Sequence, residues 1–230
     1  NGRLIMLKVN SLTGFGGKKS GTPPIEYVGG SWDRSTSNTD YSVSLSVPSG
    51  TADGDLMILR VGKHDGIFTP AGWTLWVGQQ GGTAWPSPYG WYMLVYYKYA
   101  SNEGSTVSFT ALDEYAAALY VYKNAVPSTG GGGRSNGDDL TISGQSITVD
   151  GTWGLTFWEN ANSAVGTSSA LDYDPTVLYN ATDTANVTAF WTIDTQHLFP
   201  DGSTTTGAVR WSNNSGSKTT GISVTIKPAE

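Results

Sequence analysis

The sequence predicts an all-β protein, an antiparallel β-sandwich of jelly-roll-like type. Three observations carry this. The longest apolar run, GWYMLVYYKYA from Gly90 to Ala100, is dense in aromatic and β-branched residues, with no Gly or Pro after its first residue. About a dozen short alternating or apolar segments are separated by Gly/Pro turns, with no capped 3.6-residue stripe. The 230 residues include 30 Gly, 10 Pro and 9 Trp but only 14% charged side chains. That balance suits turns and a large core rather than helices or a disordered chain.

The elements follow in order. Residues 1–24 read as an N-terminal arm and loop: an apolar run, Leu4 to Val9, then a Gly-rich stretch ending at Pro23-Pro24. Residues 25–230 read as one sandwich domain. Ile25–Val28 and Tyr41–Val47 are its first strands; in the second, Tyr41, Val43, Leu45 and Val47 alternate with serines. The turn Pro48–Gly54 leads into Asp55–Val61, and Thr69–Gly72 turns the chain into Trp73–Val77. A long loop, Gln79 to Pro88, carries Trp85 and two prolines ahead of the central strand. Within that strand Trp91, Met93, Val95, Tyr97 and Tyr99 share one face, and Tyr92, Leu94, Tyr96 and Lys98 the other. Thr106–Thr110 and Tyr115–Tyr122 follow. In the latter, Tyr115, Ala117, Leu119 and Val121 oppose Tyr120 and Tyr122. The stretch near 128–139, with Gly130 to Gly133 at its centre, reads as a mobile Gly-rich loop. Leu140–Ile142, Ser146–Val149, Trp153–Trp158, Val187–Ile193, Ala208–Trp211 and Ile222–Ile226 complete the strands.

Charge and composition narrow the partners. A net charge of −6 and no basic cluster beyond Lys18-Lys19 argue against nucleic acid and anionic membrane. No apolar segment approaches the roughly 18 residues of a membrane span. Without cysteine there is neither a disulfide nor thiol chemistry.

Catalytic constellations are weak. There is no Gly-x-Ser-x-Gly, and His64 and His197 both read as turn residues. Asp113 and Glu114 are adjacent on a strand and point opposite ways, and Glu159 at a strand end reads as solvated. The chain is therefore read as non-enzymatic. The Asp138-Asp139 pair and Asp172-x-Asp174 are weak Ca2+ candidates, since two acids in a Gly-rich loop more often only solvate it. No metal site is assigned, and no other cofactor is expected.

Aromatic rings remain. Trp85, Tyr89, Trp76 and Trp32 lie in or near loops, where core demand is small, and are candidates for stacking against a glycan or a protein partner. Tyr92, Tyr96, Tyr120 and Tyr122 would form one outer, tyrosine-rich face if their strands pair side by side, and so a homo-oligomer contact.

The segments Gly54-Asp55-Leu56, Pro70-Ala71-Gly72-Trp73, Tyr96-Tyr97-Lys98-Tyr99-Ala100 and Ala116–Tyr122, with the closing GISVTIKPAE, carry a resemblance. Together they resemble a jelly-roll-like module of predicted bacteriophage virion proteins of tail-fibre, head-fibre or decoration type. The resemblance spans roughly residues 25–126 plus the last ten. It implies a structural protein of the virion that contacts other virion proteins and serves assembly or attachment to a cell surface. It transfers no catalytic residue. The alternative is a carbohydrate-binding module, free or attached to a glycan-active enzyme.

Overall fold

The computed structural model describes residues 22–35, 41–64, 68–80, 91–111, 115–135, 139–161, 176–183, 190–212 and 218–230. These form strands and turns, with no helix among them, in antiparallel sheets packed face to face. The first half supplies β1 (Glu26–Ser35), β2 (Tyr41–Ser46), β3 (Leu56–His64), β4 (Thr74–Gln80), β5 (Trp91–Tyr99), β6 (Thr106–Ala111) and β7 (Tyr115–Lys123). Their pairing is nested, β1 with β7, β2 with β6 and β3 with β5, while β4 lies on the free side of β5. This is the connectivity of a long hairpin rolled up, as in a jelly roll. The result is a five-stranded sheet, β1-β7-β3-β5-β4, under a two-stranded ribbon, β2-β6.

The second half repeats the plan. Its strands are β8 (Ala125–Ser135), β9 (Asp139–Ile142), β10 (Trp153–Ala161), β11 (Thr176–Asp183), β12 (Phe190–Leu198), β13 (Val209–Ser212) and β14 (Lys218–Pro228). The sheet β8-β14-β10-β12-β11 and the ribbon β9-β13 reproduce the first order strand for strand. The two five-stranded sheets face each other, and each carries its ribbon outside. Asn124 alone joins the halves, at φ 54°, a left-handed conformation Asn tolerates. It also meets both ends of the described chain: its Nδ2 donates to the Pro24 carbonyl at 3.0 Å, and its carbonyl accepts from Ala229 N–H at 2.9 Å.

Layering explains why β5 and β7 are apolar on both faces. One face of the first sheet, with Met57, Leu59, Leu94 and Leu119, is covered by Val43, Leu45 and Val107 of the ribbon. The other, with Ile58, Met93, Val95 and Ala118, meets Leu155, Phe157, Ile222 and Val224 of the second sheet. The alternation read from the sequence is correct for both strands. The tyrosine face assembled from it is not. Tyr96 (0% exposed) and half-buried Tyr92 lie under the ribbon, whereas Tyr120 (2%) and Tyr122 (0%) point at the second sheet. β3 separates β5 from β7, and its register sets Leu59 between Tyr96 and Leu119, and Ile58 between Tyr97 and Tyr120. The chain itself covers these tyrosines, so they form no outer face.

The Gly-rich stretch expected as a mobile loop is strand β8, and close packing explains its composition. A Cβ on Gly130 would lie 2.5 Å from Val77 Cγ2, and one on Gly132 3.0 Å from Gln79 Cβ. On the other side, a Cβ on Gly131 would meet Gln145 Nε2 at 2.8 Å and one on Gly133 would meet Leu140 Cδ1 at 3.2 Å. The strand is squeezed between β4 and the outer layer, and side chains there would push the layers apart. Gly130→Val should therefore lower stability by about 1–3 kcal/mol through overpacking, read as a reduced urea midpoint. An unchanged midpoint would show that the layers have room.

Other strand limits moved. β1 runs to Ser35 rather than Val28, β12 is Phe190–Leu198 rather than 187–193, and β11 had no counterpart in the sequence reading. Ser146 keeps only one bridge, to Thr205. His197, expected in a turn, stands within β12 with its ring edge-on to Phe199, 4.9 Å between centroids.

Candidate functional site

Two features stand out: a charged cluster between the sheets, and a row of aromatic rings along one sheet edge.

The cluster starts from three charged residues inside strands β3, β10 and β12. Arg60 interrupts LMILRVG of β3, Glu159 follows TFW in β10, and Asp194 lies in WTIDTQ of β12. Period-two alternation turns all three inward, where they are 0%, 2% and 0% exposed. The Arg60 guanidinium forms a close ion pair with Glu159 through Nη2 and stands 3.7 Å from Asp194 Oδ1 through Nε. It also donates to the Ala116 carbonyl at 3.0 Å and to Thr192 Oγ1 at 3.2 Å. Tyr120 donates its hydroxyl to Asp194 Oδ2 at 2.5 Å while its ring stacks on Phe157. Next along β7, the Tyr122 hydroxyl donates to Gln196 Oε1 at 3.0 Å.

Burial sets the electrostatics. It pushes the Asp194 carboxyl above the usual carboxylate range, although Arg60 and the Tyr120 hydroxyl pull the other way. It also raises the Tyr120 and Tyr122 hydroxyls well above their ordinary value, with the negative field of Asp194 adding to both. Half-buried Tyr27 on β1 is pushed up to about 12 by burial and then by Asp194. Chemically, this arrangement ties two sheets together with charges held out of water, and its carboxylates face no open surface. Glu159, read from the sequence as solvated, is one of its anchors. The available signal was its place on the same alternating face as Leu155 and Phe157.

The aromatic row comes from β4 and β5. The irregularity between Leu75 and Val77 leaves Trp76 without a cross-strand partner in the register. Its ring sits edge-on to Tyr97 at 5.8 Å, and Tyr97 is edge-on to Tyr99 at 6.4 Å. Trp76 and Tyr97 are half-buried against the inter-sheet core, and Tyr99 ends the row 45% exposed. Sequence reading named Trp76 but missed Tyr99, because alternation assigned Tyr99 to a covered face. Trp32 lies on β1, the opposite edge of the same sheet, and is 48% exposed. Trp32 and Trp76 are thus not brought together.

Trp85 and Tyr89 lie outside the described residues, as do Asp138, Asp172 and Asp174. Asp139 takes its place in β9, opposite Ser212. Among the described residues no group of three or more His, Asp or Glu side chains is placed to hold a metal ion. Comparison of the chain with family models, with curated proteins and with solved structures found no match.

Proposed function

We propose that this chain is a non-enzymatic structural component of a bacteriophage particle, a head-fibre, tail-fibre or decoration protein used in assembly or attachment to a cell surface. The observation that carries the proposal is the aromatic row Trp76–Tyr97–Tyr99, backed by a double-sandwich scaffold and ending in an exposed ring. Rigid sheets with aromatic rings at their margin suit contact with a neighbouring protein or a sugar surface. The resemblance of residues 25–126 to phage virion modules supports the same reading. The core charges fit it too, being engaged in holding the sheets together.

Exposed rings also favour the second reading, a carbohydrate-binding module, because a sugar's C–H face packs on an aromatic face. One pair of experiments separates the two. Antibody labelling of purified particles in the electron microscope should decorate the virion, and absence of label would overturn the structural role. Tyr99→Ala and Trp32→Ala should each weaken retention on bacterial surface polysaccharide by roughly two- to tenfold, the worth of one ring contact. The melting temperature should fall only slightly, since about half of each side chain is in solvent. Full retention by both variants would exclude these rings as glycan contacts.

A further inference from the structure

The two seven-stranded halves correspond residue by residue, and the correspondence shows where they differ. Each central strand follows a Thr-x-Asp-Gly turn, Thr51–Gly54 and Thr148–Gly151, with the glycines at φ 89° and 77°. The Asp of each turn accepts a backbone N–H from the far loop, Asp53 from Asn102 at 2.6 Å and Asp150 from Gly202 at 2.7 Å. Two residues past each glycine the strand begins, Leu56 opposite Tyr99 and Trp153 opposite Leu198. β4 and β11 are irregular at the same step, between Leu75 and Val77 and between Val177 and Tyr179. Counted from these anchors, Arg60 corresponds to Phe157, Gly62 to Glu159, Val95 to Asp194 and Met93 to Thr192.

Each half presents the same face to the other, so the contact has the form of a two-fold interface between like units. In such an interface a residue near the axis meets its own counterpart. Gly62 does so: a Cβ built on it would fall within the Glu159 carboxylate. Pairings of like halves would be very different. Two second halves would set Glu159 against its own copy, with both Asp194 carboxylates buried beside Phe157 and no cation present. Two first halves would bury two Arg60 guanidiniums among Gly62, Met93 and Val95. Only the unlike pair brings the guanidinium to both carboxylates.

We infer that Arg60, Glu159 and Asp194 form a pairing code. They make the first half accept the second and reject a copy of itself, and so prevent halves of neighbouring chains from joining wrongly. Specificity here comes from penalising the wrong partner as much as from attracting the right one. A virion protein made in many copies at high local concentration would need this, although the code itself follows from the geometry alone.

The test removes the code while keeping the volume, using Arg60→Met, Glu159→Leu, Asp194→Val and Tyr120→Phe together. This full-length variant and the unaltered chain are refolded from denaturant over a wide concentration range and weighed by light scattering. The variant is expected to form dimers and larger species that grow with concentration, beyond those of the unaltered chain. A second variant, Glu159→Gln with Asp194→Asn, keeps every side-chain shape and lifts the repulsion between second halves, while also taking the counter-charges from Arg60. It too should shift towards dimers. Masses equal to the unaltered chain in either folded variant would overturn the inference. Failure of both to fold would also overturn it, by showing the cluster is needed to fold at all rather than to choose a partner.

Discussion

Arg60→Leu should cost the fold about 3–5 kcal/mol, because it leaves two carboxylates between the sheets without their cation. The loss should depend on pH. Asp194 already binds its proton more tightly in the folded state than an ordinary aspartate, and Arg60 is the main influence opposing this. Removing Arg60 raises that affinity further. An acid whose folded pKa is raised contributes stability below its unfolded value, and that contribution fades as pH climbs through the folded value. The variant's deficit should therefore be greatest near neutrality and shrink towards the acid range. Urea unfolding of both proteins across the acid-to-neutral range measures it. A variant equally weakened at every pH would show that packing, not charge, accounts for the cost.

Alkaline unfolding is the other large effect. Tyr27 is pushed up to about 12, and burial raises Tyr96, Tyr120 and Tyr122 as well. Below pH ~10 these hydroxyls are protonated in folded and unfolded chains alike, so they add no pH dependence. Above it the unfolded chain loses protons that the folded one retains, and stability falls. The rise at Tyr27 alone amounts to about 2–3 kcal/mol by pH ~12, and the other three add in the same direction. Unfolding should be cooperative, with tyrosinate absorbance rising in step with loss of structure. Tyr27→Phe should reduce the slope. Gradual titration of all the tyrosines in a chain that stays folded would contradict the burial of Tyr120 and Tyr122.

Much of the architecture was legible because sheet physics is local. Alternation in β5 and β7 assigned Tyr92 to Tyr97 and Tyr115 to Tyr122 to the correct faces, and the turns at Gly54 and Gly72 lie where read. What alternation cannot convey is which faces meet. Tyr96 and Tyr120 have the same pattern, yet β3 between their strands sends them to opposite sides. The Gly-rich run looked like a mobile loop because composition alone cannot separate a chain with nothing to pack from one packed too tightly for side chains. The duplication was hidden for a related reason. Apart from the Thr-x-Asp-Gly turns, matched positions such as Arg60 with Phe157 or Val95 with Asp194 share no chemistry, and it is this divergence that lets the halves tell each other apart. Of the candidate site, Trp32 and Trp76 were named as loop-side aromatics but stand inside the edge strands β1 and β4. The charged cluster was missed because its members are far apart in the chain and only the sheet pairing unites them.

Asn124 gives the molecule a pole. Chain entry at Pro24, the passage between halves and the exit at Ala229 all converge on this one residue. Each half is thus a closed lobe tethered at the same point. The same convergence makes the topology nearly circular: a short bridge from Glu230 to Pro24 would close the ring, and a new start could be cut at Asn124 with the order of the two lobes reversed.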